Sequence, residues 1–389
     1  METNIFDNTA VAFAAKSNAE LKKDKFLFSL MGNNSLVGVG AALTELATAI
    51  HFPISPIFKY SVYNHFCGGE TFEECQKTVQ HLAKYKVAAM LNYGVELKET
   101  EADFDKTIQQ TLEAINFAGE NETVNVICIK LTGFGQFALF EKIQDGEKLT
   151  LEEVAAFNRV KTRFETLCKA AKEKGVSLYV DAEESWIQNA LDALVDEMMP
   201  KYNQEKAVIF NTFQFYRHDR LAYLKKSCEN AEKNGFVLGA KIVRGAYMEK
   251  ERKRAQEMGY PSPIHENKAA VDKDFNEGML YCLHRLDKVS LCIASQSEES
   301  NLKAIQLILE NNIDKNHPHI LFSQLYGMGD NITFNLSNLG YNACKYLPYG
   351  PVKDVIPYLI RRAQENTSVS GQMSRELKLI KEEIKRRQN

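Results

Sequence analysis

VNVICIKL (124–131), LEEVAAFNRVKTRFETLCKAAKEK (151–174) and SLYVDAE (177–183) follow one another along the chain. Two short apolar runs of strand length bracket a long amphipathic stretch of helical composition. Strands separated by a helix cannot form a hairpin; they pair in parallel through a crossover. The unit recurs in both directions. Further strand-type runs are VAAML (87–91), AVIFNTFQF (207–215), LGAKIV (238–243), SLCIAS (290–295), HILFSQL (319–325) and NACKYL (342–347). Helical stretches such as Glu298 to Asn311 lie between them. Eight such units match a closed (β/α)8 barrel, which needs roughly 250 residues. A doubly wound open sheet is the second candidate, but it has fewer strands and a phosphate fingerprint after the first one. Gly38-Val39-Gly40 opens like that fingerprint, yet position 43 is Leu43 and no strand precedes it.

Outside the repeat the pattern changes. Residues 1–86 read as an α-helical arm, with helices expected over Asn8 to Leu30, Leu36 to Ile50 and Phe72 to Tyr85. The barrel is assigned to 87–370 and a basic helical tail to 371–389. In that tail Leu377, Ile380 and Ile384 fall at i, i+3 and i+7. A solvated terminal helix is the first expectation, with contact to a membrane surface as the second.

Composition narrows the function. The net charge is -3, which offers nucleic acid no general attraction. No arginine precedes Arg159, and Glu2, Asp7, Glu20 and Asp24 crowd the start, unlike a transit peptide. No secretory signal is read, and the best apolar run, Val37 to Ile50, is too short to span a bilayer and is broken by Glu45. The eight cysteines contain no CxxC, and Cys128, Cys292 and Cys344 sit in strand-like runs. Reduced thiols in a cytoplasmic compartment are expected, with no disulfide framework and no metal site.

In a parallel barrel, chemistry collects at the C-terminal ends of the strands. The expected ends carry Glu96, Lys130, Asp181, Gln214, Lys241 with Arg244, Ser295 with Gln296, Gln324 and Tyr346. Singly, each is better explained as a cap or a solvated strand end. Together at one rim they describe a binding mouth. Asp181 has Lys241 or Arg244 as its expected cationic partner. Downstream, YLPYGPVKDVIPYLIRRAQEN (346–366) runs from the last strand into a helix. There Tyr358, Arg361, Arg362 and Glu365 share one helical face. Two adjacent guanidinium groups form a fork for a carboxylate or phosphate. Opposed charges at such a mouth suit a small zwitterion, and Tyr247, Tyr346 and Tyr358 supply flat walls.

These segments resemble the proline dehydrogenase family. The stretches that carry the resemblance are IKLTGFG (129–135), VDAEES (180–185), NTFQFY (211–216), KIVRGAY (241–247), ASQS (294–297), QLYGMGD (324–330) and YLPYG (346–350) with YLIRRAQEN (358–366). The resemblance implies a distorted (β/α)8 barrel holding FAD at its mouth and oxidising L-proline to Δ1-pyrroline-5-carboxylate. It implies that Arg361 and Arg362 clamp the proline carboxylate. Lys130 and Asp181 match the active-site lysine and aspartate, and Glu96 matches the acidic partner of that lysine. Leu325, Tyr346 and Tyr358 match the walls of the proline ring. FAD contacts fall on Asp181, Gln214, Lys241, Val243, Arg244, Gly245, Tyr247, Lys268, Ala294, Ser295, Gln296 and Glu365. Lys241 stands where many bacterial members have arginine, and Ser295-Gln296 where Thr-His-Asn is frequent. The resemblance further implies a membrane quinone as electron acceptor, peripheral attachment at the inner face of the membrane, and a separate pyrroline-5-carboxylate dehydrogenase downstream. Three alternatives compete: a hydroxyproline dehydrogenase, disfavoured by Tyr346; another flavin barrel such as a methylenetetrahydrofolate reductase, disfavoured by the arginine pair; and a catalytically silent amino-acid-binding barrel.

Overall fold

A computed structural model of the chain describes residues 5–31, 59–94, 99–356, 358–359 and 370–389. All eight expected strands form: β1 (Val87–Tyr93), β2 (Val124–Ile129), β3 (Ser177–Val180), β4 (Ile209–Gln214), β5 (Leu238–Val243), β6 (Val289–Ala294), β7 (Ile320–Leu325) and β8 (Ala343–Tyr349). They follow chain order in one closed barrel. The pairings with a defined register are all parallel, as helical crossovers require.

Among the described residues the longer helices are α1 (Asn18–Met31), α2 (Phe72–Ala83), α3 (Glu101–Gly119), α4 (Phe137–Gln144), α5 (Leu151–Lys174), α6 (Ser185–Tyr202), α7 (Arg220–Asn234), α8 (Met248–Met258), α9 (Lys268–Leu283), α10 (Glu298–Glu310), α11 (Asp330–Asn338) and α12 (Ser370–Gln388). Local sequence sets their ends. A reciprocal capping box opens α5: Thr150 Oγ accepts from the Glu153 N–H, and the Glu153 carboxylate accepts from the Thr150 N–H. Gly175 closes α5 in the left-handed conformation, φ 69°.

The chain divides into two compact units, residues 1–96 with 324–389, and residues 97–323. In the second unit Val160, Phe164, Leu167 and Cys168 of α5, with Leu191, Leu194 and Val195 of α6, bury the inner faces of the crossover helices. Each fully buried side chain of this size contributes about 1.5–3 kcal/mol of transfer free energy. In the first unit one apolar cluster gathers Phe13, Phe28, Tyr63, Phe66, Val355 and Tyr358. All eight cysteines are buried, and no disulfide joins any of them. Among the described residues no helix is long and apolar enough to cross a membrane.

Two expectations are corrected. The helix expected over Asn8 to Leu30 breaks into a single helical turn (Thr9–Ala12) and α1, and a 3-10 turn (Ile5–Asp7) precedes both. The restart has a local cause: Ser17 Oγ accepts from the Glu20 N–H at 3.2 Å, and the Glu20 carboxylate accepts from the Ser17 N–H at 2.7 Å. The terminal helix is docked rather than solvated. Leu379 and Ile380 of α12 are buried in the apolar cluster, with Leu377 and Ile384 packed against it. The helix expected over Leu36 to Ile50 lies outside the described residues.

Candidate active site

Within the second unit, the strand ends carry most of the polar groups anticipated there. Lys130 follows β2 and opens a 3-10 turn over Leu131–Gly133. Asp181 follows β3, and its N–H donates to the Ile129 carbonyl at 2.8 Å. Lys241, inside β5, donates to Asp181 at 2.5 Å, with the two side chains 7% and 13% exposed. Strands β3 and β5 both pair with β4. A bond that skips a strand requires both side chains to emerge on the same face, here the barrel interior. Burial alone would lower the proton affinity of Lys241. The Asp181 carboxylate more than offsets it and holds the amine above its ordinary range.

Beside this pair, Glu183 is buried. Its carboxylate accepts from the Thr132 N–H at 3.2 Å and from the Thr132 hydroxyl at 2.6 Å. Its N–H donates to Gln188 Oε1 at 2.6 Å. Its carbonyl accepts from Gln214 Nε2 at 2.8 Å, so the buried amide at the end of β4 is fixed from β3. Burial pushes the Glu183 carboxyl up to about 7, against the opposing pull of the Lys130 charge and of Thr132.

Arg244, just past β5, is held on three sides. Nε donates to Asp272 at 2.7 Å, Nη1 to Ser295 Oγ at 2.7 Å and Nη2 to Ser300 Oγ at 2.9 Å. Its guanidinium also lies over the Phe275 ring, 4.4 Å from the centroid. Ser295 Oγ accepts in addition from the Ser297 N–H at 3.1 Å, which shapes the turn after Ala294 that contains Gln296. Lys268, at the start of α9, is exposed and paired with Asp272. The backbone between Val243 and Tyr247 is turned by Gly245 at φ +137°, where a Cβ would stand 2.4 Å from the Tyr216 ring. No other residue type fits that position without displacing the ring. The Val243 carbonyl accepts from the Phe215 N–H at 2.9 Å, and Tyr247 precedes α8 as its N-cap residue.

Within the first unit, Leu325 ends β7 and Tyr346 lies in β8. The Tyr326 N–H donates to the Tyr346 carbonyl at 2.9 Å. Behind them lies a buried charge network. Lys345 meets Asp330 at 2.7 Å and donates to the Met328 carbonyl at 2.6 Å. Lys16 meets Asp330 at 2.8 Å and Asp24 at 2.5 Å. His65 Nδ1 meets Asp24 at 2.9 Å, and its Nε2 meets the Gly327 carbonyl at 2.8 Å. From α12, Glu376 accepts from the Gly329 N–H at 2.9 Å, and burial with the neighbouring Asp330 raises its carboxyl to about 8. Tyr358 is buried in the apolar cluster. Glu96, Arg361, Arg362 and Glu365 lie outside the described residues.

The residues brought together are thus Asp181 with Lys241, Gln214 with Glu183, and Arg244 with Ser295 and, through Asp272, Lys268. Sequence reasoning passed over Glu183, Thr132, Asp272 and Lys345. Glu183 had a signal, since it lies two residues beyond Asp181 in a run that leaves an apolar strand. Asp272 had a partial one, since it stands four residues after Lys268 on the same helix, but its contact with Arg244 had none; Lys345 had none, because its partners Asp330 and Met328 lie 15 and 17 residues away, outside its own strand.

The donors at the ends of β4, β5 and β6 are an amide, an ammonium, a guanidinium and a hydroxyl. That set, beside a glycine without room for a side chain, suits a planar polar ring and an anionic tail. Comparison with known proteins gives the family. The family profile described as Proline dehydrogenase matches residues 75–375. A Carbapenem antibiotics biosynthesis protein CarD of Pectobacterium carotovorum subsp. carotovorum is 36% identical over 324 residues, 83% of each chain. Proline dehydrogenase 1, mitochondrial, of Dictyostelium discoideum is 32% identical over 86% of this chain and 66% of its own. The human protein of the same name is 40% identical over 62% of this chain and 40% of its own. Across these three relatives, the matched share of their own length runs from 40% to 83%. Among solved structures, proline utilization A from Bdellovibrio bacteriovorus, inactivated by N-propargylglycine, superposes with TM-score 0.71 at 21% identity. It covers 94% of this chain and 37% of its own, and the likeness is one of fold.

Proposed function

The chain belongs to the proline dehydrogenase family, a family of oxidoreductases, and we propose that it oxidises L-proline to Δ1-pyrroline-5-carboxylate with FAD as the bound cofactor. The observation that carries the reading is the buried Asp181–Lys241 pair, in line with the fixed Gln214 amide and the Arg244–Ser295 contact. Those are the positions that the family resemblance assigns to the flavin. FAD, when bound, supplies the two-electron acceptor. Gln214, Lys241, Arg244, Ser295 and the backbone around Gly245 would hold it, with Val243, Tyr247, Lys268, Ala294, Gln296 and Glu365 as further contacts.

The remaining work falls to the protein. Arg361 and Arg362 take the substrate carboxylate by a bidentate grip. Leu325, Tyr346 and Tyr358 wall the ring and orient its reactive carbon. A secondary amine gives up a hydride from the adjacent carbon only with its lone pair free. Lys130, Arg361 and Arg362 favour loss of the ammonium proton by like-charge repulsion. Residues 87–370 form the barrel that carries both sites. The electron acceptor is a membrane quinone, reached from a peripheral position. The exposed Lys378, Lys381 and Lys385 along α12 support that placement electrostatically.

The deciding experiment is anaerobic. The purified protein, reconstituted with FAD, is expected to be yellow and to bleach on addition of L-proline. A yellow sample that dithionite bleaches and L-proline does not would overturn the substrate. A protein that takes up no FAD would overturn the whole reading.

A further inference from the structure

We infer that Glu183 is the positioning residue for Lys130: its buried carboxylate fixes the turn that Lys130 opens and so sets the spacing between the ends of β2 and β3. The inference rests on the functional reading above and assigns a residue that the family resemblance left without a role.

The geometry is specific. Lys130 stands at the N-cap of the Leu131–Gly133 turn, whose Gly133 N–H returns to the Lys130 carbonyl at 3.0 Å. A turn of three residues has little stability of its own. Its middle residue, Thr132, offers two donors, the N–H and the hydroxyl, and Glu183 takes one on each carboxylate oxygen, at 3.2 and 2.6 Å. Thr132 is 7% exposed and Glu183 4%, so water does not replace that acceptor. Glu183 is itself immobilised at its backbone. Its N–H is held by Gln188 at 2.6 Å and its carbonyl by Gln214 at 2.8 Å. The carboxylate therefore transmits a fixed position just past β3 to the turn that follows β2. The charged groups acting on it are Lys130, whose positive charge favours the ionised form, and Glu184, which opposes it. Glu184 is turned towards Lys250 in an ion pair.

An ordinary buried carboxylate would hold the fold together and affect every parameter alike. A positioning carboxylate acts on the group it places. Lys130 is assigned to substrate, whereas Gln214, fixed by the Glu183 backbone, is assigned to the flavin. Replacing only the side chain separates the two. A methionine at 183 keeps the length of the side chain but offers neither Thr132 donor an oxygen acceptor, whereas a glutamine could satisfy both by donating to the Thr132 hydroxyl.

The test uses the FAD-loaded enzyme and steady-state kinetics with L-proline. Glu183→Met is expected to raise KM at least tenfold, with kcat within threefold and FAD occupancy unchanged. Thr132→Val, which removes the hydroxyl alone, is expected to raise KM about fivefold, and Thr132→Ser, which keeps both donors, to restore it to within twofold. If Glu183→Met fails to fold, the valine–serine pair at 132 decides. A KM within threefold in Glu183→Met, a loss of FAD occupancy alongside the change in kcat and KM, or equal behaviour of Thr132→Val and Thr132→Ser would each overturn the inference. A wild-type enzyme that proline does not reduce overturns the functional reading instead, and this inference with it.

Discussion

Lys241→Met removes the ammonium from the Asp181–Lys241 pair. At 2.5 Å, and with an effective dielectric constant of about 20, two unit charges attract by about 7 kcal/mol. Most of that attraction offsets the cost of taking both groups out of water. The loss on removing one partner of such a buried pair is therefore about 3–5 kcal/mol, because the surviving charge is stranded. Asp181, at 13% side-chain exposure, has little solvent to turn to. Asp181→Asn combined with Lys241→Met should recover much of the loss, leaving a coupling energy of about 2 kcal/mol or more. Urea unfolding followed by the fluorescence of Trp186 measures this. Trp186 is the only tryptophan in the chain and lies in the same unit as the pair, 4.6 Å from the Arg254 guanidinium. A single-variant loss below about 1 kcal/mol, or additive effects in the double variant, would refute the claim that the pair is desolvated.

The remaining predictions concern the other unit and the substrate. Glu376 has a folded-state carboxyl raised from 4.5 to about 8 by burial and by Asp330, with Lys16 and Lys345 pulling the other way. Between those two values the folded protein keeps a proton that the unfolded chain has released. Stability should therefore fall as pH rises across that window, by about 1.4 kcal/mol per pH unit from this group. Glu376→Gln cannot ionise, so its melting temperature should gain on the wild type from pH 5 to pH 8; parallel curves would sink the assignment. Arg361→Met and Arg362→Met should each lower kcat/KM for L-proline by about 30-fold or more, equivalent to roughly 2–5 kcal/mol. A change under threefold in both would remove them from the substrate site.

The fold was legible because its signal is local. β-Branched and aromatic runs of strand length alternate with amphipathic stretches, and the eight runs from Val87 to Leu347 each contain an observed strand core. Boundaries were less legible where polar groups have tertiary partners. SLYVDAE was read as strand to residue 183, yet β3 stops at Val180. Beyond it Asp181 is engaged by Lys241, and Glu183 by Thr132 and Gln188. The break before α1 was legible in principle, since Ser17 and Glu20 spell a capping box. The docking of α12 was half visible: the spacing of Leu377, Ile380 and Ile384 gave an apolar face, but not the cluster of Phe13, Phe28 and Tyr63 that it joins.

By itself the sequence determined the parallel eight-unit barrel, the polar ends of its strands and the family, because each rests on residue types at short, fixed spacings. It left Asp181 two candidate partners. Only the tertiary structure chose Lys241, by closing the sheet so that β3 and β5 stand one strand apart with both side chains turned inward. Arg244, three residues further on, is taken instead by Asp272, Ser295 and Ser300. The partners of Asp181 and Arg244 lie 28 to 60 residues away in sequence. The physical reason is that pairing at such distances is set by strand register and burial, and no local pattern encodes either one.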